Sequence, residues 1–175
     1  MKIHHELETP ATKRPLVLAI GFFDGLHRGH REILRTLLRL RRPGYRAAVV
    51  TFRNHPATHL RPDRVPPLLT TVEERVNLIA STGIDELFLI PFDDRVAQTD
   101  ARDFLRDALL GTLGIRALVV GDNFLFGRGR EADSTLARET LSSHSVEVVA
   151  VDPVTDSGER ISITRIRAAI LGGYT

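Results

Sequence analysis

The stretch Leu16–His30, LVLAIGFFDGLHRGH, joins an apolar run to a turn rich in glycine and histidine, and a helical pattern follows from His30 to Arg41. The run is continuous rather than alternating, which is typical of a strand buried on both faces of a parallel sheet. A helix that begins directly after such a turn presents free backbone N–H groups and the positive end of its dipole. The stretch therefore predicts a strand–turn–helix unit that binds an anion.

Strand and helix patterns alternate along the rest of the chain, which is typical of an open α/β sheet with right-handed crossovers. We therefore expect a Rossmann-like, mainly five-stranded parallel sheet with helices on both faces, in a single domain spanning residues 1–175. Ligands of such sheets bind outside the carboxyl ends of the strands. The other predicted strands are Arg46–Phe52, Glu86–Phe92, Ala117–Asp122 and Val146–Val151, and the other predicted helices are Val72–Ser81, Ala101–Leu113 and Ser134–Ser142, with N-caps at Thr71, Asp100 and Asp133.

Cysteine content, net charge and the length of the apolar runs exclude several classes of protein. The chain has 175 residues and no cysteine, which excludes a disulfide framework and a cysteine nucleophile. A formal net charge of only +2 does not favour nucleic acid as a partner. The apolar runs are too short to span a membrane, and the amino terminus lacks the apolar centre of a signal peptide. We expect a soluble cytoplasmic protein that binds small molecules, with no nucleic acid or membrane partner.

Two histidines, His27 and His30, flank Gly29 one helical turn apart. Because the glycine offers no side chain, both imidazoles could address one group lying between them, such as a phosphoryl centre that gains negative charge. A metal site would usually need a third ligand, and the other histidines show no spacing that supplies one. The spacing of Gly21, Gly25 and Gly29 does not match the dinucleotide fingerprint, and no P-loop is present.

Further motifs follow in the order known from one family: VVTFRNHP (49–56), LLTTVEERVNLIASTGIDELFLIPFD (68–93), VVGDNFLFGRGREAD (119–133) and ERISITRIR (159–167). With them, the chain from about Leu16 onward resembles the FMN adenylyltransferase module of bacterial bifunctional riboflavin kinase/FAD synthetases, in the nucleotidylyltransferase superfamily. The resemblance implies the reaction ATP + FMN → FAD + pyrophosphate, with Mg²⁺ held through the ATP phosphates.

The resemblance also implies roles for particular residues. The expected catalytic residues, which steady the phosphates and the transition state, are His27, His30 and Arg167. The expected nucleotide-facing residues are Gly21, Phe22, Phe23, Asp24 and Gly29, joined by Ser162 and Thr164 at the start of the final helix and, less closely matched, Arg165. The expected flavin-side residues are His55, Leu60, Phe104 and Asn123, although apolar side chains in such folds are more often core. Residues around 54–69 and 123–133 would form the flavin side.

Three departures from the family pattern keep alternatives open. Ile163 replaces a serine, which deletes one possible phosphate ligand, and Asn54 replaces a proline, which should loosen the loop after the second predicted strand. In the bifunctional enzymes a riboflavin kinase domain follows this module, and we expect none here. The chain would then be either an excised module or a stand-alone homologue that takes FMN from a separate kinase. The alternatives are nucleotidyl transfer to another phosphorylated acceptor, or a non-catalytic module that binds flavin or nucleotide.

Overall fold

A computed structural model describes residues 1–10 and 14–173 of the chain. Six strands form its main sheet, and two more form a short hairpin. The strands are β1 (Lys2–His4), β2 (Leu16–Ile20), β3 (Arg46–Phe52), β4 (Glu86–Ile90), β5 (Ile115–Gly121), β6 (Glu147–Val151), β7 (Thr155–Asp156) and β8 (Glu159–Arg160). The sheet order is β1-β4-β3-β2-β5-β6 with every neighbouring pair parallel, while β7 and β8 pair antiparallel. The predicted α/β fold class and its five strands are confirmed.

The sixth strand of the main sheet, β1, lies at the edge beside β4. Its sequence is short and polar, so no apolar run indicated it. His4 fastens the strand, because its side chain is buried, stacks on the ring of Phe88 at 4.6 Å and approaches a carboxylate oxygen of Glu86 at 2.8 Å. A tertiary contact of this kind explains why the pattern of apolar residues did not predict the strand.

Helices follow the strands as predicted, with the predicted caps at Thr71, Asp100 and Asp133 in place. The predicted helices end within one residue of the observed ends, but the first helix begins at Arg28 and not at His30. The Nδ1 atom of His27 accepts a hydrogen bond from the backbone N–H of His30 at 3.4 Å and caps this helix. The helices are α1 (Arg28–Leu40), α2 (Ala57–Leu60), α3 (Val72–Ala80), α4 (Asp94–Gln98), α5 (Ala101–Asp103), which continues as π-type turns over Phe104–Thr112, α6 (Ser134–Leu141) and α7 (Ile163–Leu171).

The core lies on both faces of the sheet, because successive side chains of a strand point to opposite sides. Leu18 of β2 packs on one face with Leu105 and with Leu141 of α6. Its neighbour Val17 packs on the other face with Leu34 of α1. The strands are therefore buried on both sides, and the loops at their carboxyl ends gather at one edge of the sheet. Within residues 1–10 and 14–173, no helix is long and apolar enough to cross a membrane.

The loop after β3 makes hydrogen bonds that its sequence did not indicate. The side-chain amide of Asn54 donates to the backbone carbonyl of Phe92 at 2.8 Å and accepts from the N–H of the same residue at 2.9 Å. These two bonds tie the loop after β3 to the loop after β4, and α2 follows at once. The side chain of Asn54 thus anchors the loop with two hydrogen bonds that its sequence did not indicate.

Candidate active site

The turn between β2 and α1 folds inward on two of its side chains. Phe23 adopts a left-handed conformation with φ 56°, and its ring is fully buried against the core. Asp24 is also buried, with 1% of its surface exposed. Both residues are expected to face a nucleotide, and both side chains are buried in the structure. A Cβ added at Gly21 would lie 3.0 Å from the Phe23 ring, so this glycine makes room for that ring.

The carboxylate of Asp24 collects hydrogen bonds from two distant parts of the chain. It accepts from the backbone N–H groups of Leu69 and Thr70 at 3.0 Å, from the hydroxyl of Thr70 at 2.9 Å and from Nη2 of Arg167 at 2.8 Å. Burial raises the pKa of Asp24, but these bonds outweigh it and hold the pKa below its ordinary value of 3.8. Asp24 therefore fastens the turn to the segment before α3 and to α7.

The two histidines of the turn stack on each other, with ring centroids 3.7 Å apart and planes inclined by 20°. A Cβ added at Gly29 would lie 3.1 Å from Cε1 and 3.2 Å from Nδ1 of His27, so the glycine permits this arrangement. No group fits between rings this close, which corrects the expectation that the pair would flank a ligand. A ligand can meet His27 and His30 only outside the space between their rings.

His30 is neutral at physiological pH. Burial lowers its pKa from 6.5 to about 3, with His27 adding to the shift and Asp24 opposing it. Burial also lowers the pKa of His27, while Asp24 opposes the shift and Arg160 adds to it. The Nδ1 atom of His30 is buried without a hydrogen-bond partner. Buried polar atoms are nearly always paired, so an unpaired one is exceptional.

The start of α7 lies beside this histidine pair. A Cβ at Gly29 would come within 3.9 Å of the carbonyl oxygen of Ile161, two residues before the helix. Arg167 reaches from α7 to Asp24, its side chain is 12% exposed, and its Nε atom is buried without a partner. The structure thus brings Arg167 together with the histidine turn, although the chain separates them widely.

The expected phosphate ligands at the start of α7 differ in their exposure and in their contacts. Ser162 caps the helix by accepting from the backbone N–H of Arg165 at 3.3 Å, and Thr164 is exposed in the first turn. The guanidinium of Arg165 forms an ion pair with Glu159 at 2.6 Å.

Of the expected flavin-side residues, His55 contacts the turn after β2, and the other three are placed apart from the histidine pair. His55 is half-buried, its ring meets the ring of Phe22 edge-on at 4.6 Å, and it thereby joins the turn after β2. Leu60 is 41% exposed on α2 and is not core, whereas Phe104 packs against the core with its ring 6.3 Å from that of Phe126. Asn123 is exposed after β5. Across the described ranges, no hydrogen bond or ring contact joins Leu60, Phe104 or Asn123 to the histidine pair.

Two arginines near the site were not among the predicted site residues. Arg160 lies in the quoted segment ERISITRIR and binds Asp122 with two hydrogen bonds of 2.9 and 2.6 Å. Arg75 is fully buried on α3. A signal for Arg75 was present, because its spacing from Val72 and Ile79 places it on the apolar face of the helix.

No cluster of three or more metal-ligating side chains occurs in the part of the chain that the structure describes. The carboxylate of Asp24 is engaged by four hydrogen-bond donors and that of Asp122 by Arg160.

A family model described as FAD synthetase matches residues 9–165. The chain belongs to the FAD synthetase family. The match covers both the histidine turn and the start of α7, so the two segments that meet in space belong to one family pattern.

Two proteins and one solved structure are similar to this chain over nearly its whole length. The bifunctional riboflavin kinase/FMN adenylyltransferase of Escherichia coli K12 is 34% identical over 96% of this chain and 53% of its own length. The FAD synthetase of Listeria monocytogenes is 32% identical over 99% of this chain and 71% of its own length. A Streptococcus pneumoniae crystal structure described as a macrolide-efflux protein superposes with a TM-score of 0.82 at 28% identity, over 99% of this chain and 58% of that one. The chain spans about half the length of the E. coli relative.

Proposed function

We propose that the chain transfers AMP from ATP to FMN, with FAD and pyrophosphate as products. The observation that carries the proposal is the meeting of the histidine pair, the start of α1 and Arg167 at the carboxyl end of β2. Two polar atoms there, Nδ1 of His30 and Nε of Arg167, are buried without partners. A triphosphate supplies acceptor oxygens for both. The names of the relatives support FMN as the second substrate.

In the proposed reaction, an oxygen of the FMN phosphate attacks the α-phosphorus of ATP. A new P–O bond forms, the bond between the α-phosphorus and the bridging oxygen breaks, and pyrophosphate leaves with the electron pair. The attacking oxygen is already ionised, so no general base is required. The residues have two tasks, which are to align the two phosphates and to stabilise negative charge.

The proposed roles follow from these two tasks. Each histidine is neutral and can donate one N–H group to a phosphate oxygen, and the free backbone N–H groups of α1 add further donors. Arg167 neutralises charge while Asp24 holds its guanidinium in place. Ser162 and Thr164 would bind phosphates at the start of α7. Mg²⁺ supplies charge neutralisation when bound, held by the phosphates.

For the flavin side we propose that His55, Leu60, Phe104 and Asn123 contact the FMN ring system. The exposed apolar surface of Leu60 is consistent with this role. FMN would come from a riboflavin kinase activity on the same or another chain, in the cytoplasm.

The proposal is tested by incubating the chain with ATP, Mg²⁺ and FMN and measuring FAD and pyrophosphate together by chromatography. Equal amounts of both products are expected. Binding of FMN and ATP without pyrophosphate would instead favour a non-catalytic binding module. Pyrophosphate release that requires a phosphate ester other than FMN would favour a different acceptor.

A further inference from the structure

Arg75 is the buried charge beneath the candidate active site. Its side chain is fully buried on α3, and its Nη2 atom donates to the backbone carbonyls of Phe52 at 2.8 Å and Arg53 at 3.3 Å. The guanidinium carbon lies 4.2 Å from the centre of the Phe22 ring, in cation–π geometry. The Nε and Nη1 atoms are buried without partners.

No carboxylate forms an ion pair with Arg75 within residues 1–10 and 14–173. Burial lowers the pKa of Arg75 and the more distant Asp24 opposes the shift, yet the guanidinium stays charged because arginine is not deprotonated in proteins. A buried cation without a counter-ion costs several kcal/mol, which a leucine or methionine at this position would avoid. Filling space is therefore an insufficient reason for an arginine here.

The contacts of Arg75 join two loops that carry different candidate substrate sites. Phe22 belongs to the turn after β2, which holds the histidine pair, and the ring of His55 meets it edge-on at 4.6 Å. His55 belongs to the loop after β3, whose first carbonyls accept from Arg75. The ring of Phe22 is thus held between Arg75 of α3 and His55 of the loop after β3.

We propose that Arg75 is a positioning residue that fixes the turn after β2 against the loop after β3, through Phe22 and the backbone at the end of β3. This inference rests on the proposed function, in which the first loop aligns ATP and the second aligns FMN. Arg75 touches neither substrate. It sets the relation between the two loops, and so the alignment of the attacking phosphate with the α-phosphorus.

The first test compares Arg75→Met and Arg75→Lys with the unchanged chain. A small misplacement of reacting groups costs up to about a hundredfold in rate, so kcat of Arg75→Met should fall by about tenfold to a hundredfold. The Kd values of ATP and of FMN, each measured alone, should change by less than about threefold, because each loop keeps its own residues. Arg75→Lys should be intermediate, since lysine keeps the charge but lacks the planar stack.

A matched control is Arg138→Met on α6, because Arg138 is exposed and also donates to a backbone carbonyl, that of Val148. Its kinetics should equal those of the unchanged chain. A double variant with Phe22→Leu tests the route of the effect. If Arg75 acts through Phe22, the double variant should be no slower than the slower single variant, whereas independent effects would multiply.

A readout without catalysis separates this inference from the proposed function. The ring-proton NMR signals of His55 report on the Phe22 ring, and they should shift in Arg75→Met and less in Arg75→Lys, even if the chain makes no FAD. Unchanged His55 signals with unchanged kcat would overturn the inference. So would parallel losses of kcat, both affinities and melting temperature, which indicate a structural role only. If Arg75→Met does not fold, the same comparison is made with Arg75→Lys.

Discussion

The acid sensitivity of the fold should depend on His30. The unfolded imidazole takes up a proton below its ordinary pKa of 6.5, whereas the folded one does so only near 3. Between these values the unfolded state binds more protons, so stability falls as the pH falls, by up to about 1.4 kcal/mol per pH unit. From about pH 6.5 to about pH 4.5, His30 alone should cost the protein about 2 kcal/mol.

The variant His30→Asn removes this titration and keeps a polar side chain. Urea unfolding followed by circular dichroism at the two pH values gives the loss of stability for each protein. The unchanged chain should lose about 2 kcal/mol more than His30→Asn over this interval. The exposed His144 provides a control, since His144→Asn should behave as the unchanged chain does. Equal losses in His30→Asn and in the unchanged chain would refute the reasoning that desolvation keeps His30 neutral in the folded protein.

Two further variants test the contacts that hold the site together. Asp24→Asn breaks the buried ion pair with Arg167, so the free energy of unfolding measured by urea titration should fall by about 3 kcal/mol. Undiminished stability would show that the pair does not form. Asn54→Ala removes both hydrogen bonds to Phe92, so the free energy of unfolding should fall by about 1–3 kcal/mol. Limited proteolysis should also cut the loop after β3 faster, and an unchanged cleavage rate would contradict the role given to Asn54.

Much of the fold was predictable because its buried strands are continuous apolar runs. The edge strand β1 was not, since only the tertiary contacts of His4 with Phe88 and Glu86 hold it. The helix cap at Thr71 was predictable because a capping box is a local pattern that spans four residues.

The candidate site was predictable in its members and less so in their geometry. The motif indicated the histidine turn, but not that Asp24 turns inward to bind Arg167, because that contact joins residues far apart in sequence. Asn54 suggested a loose loop, since a sequence shows a lost proline but not two new hydrogen bonds. Arg75 lay on an apolar helix face, and only the structure identified Phe22 as its partner.

The most direct test of AMP transfer at the histidine pair follows a label on the α-phosphorus of ATP. With FMN and Mg²⁺ present, the label should pass into FAD in the unchanged chain. In His30→Ala, its rate of transfer should fall by about a hundredfold or more, as when one transition-state donor is lost, while circular dichroism shows the fold intact. Labelled FAD forming equally fast in both proteins, or not at all in the unchanged chain, would contradict the account.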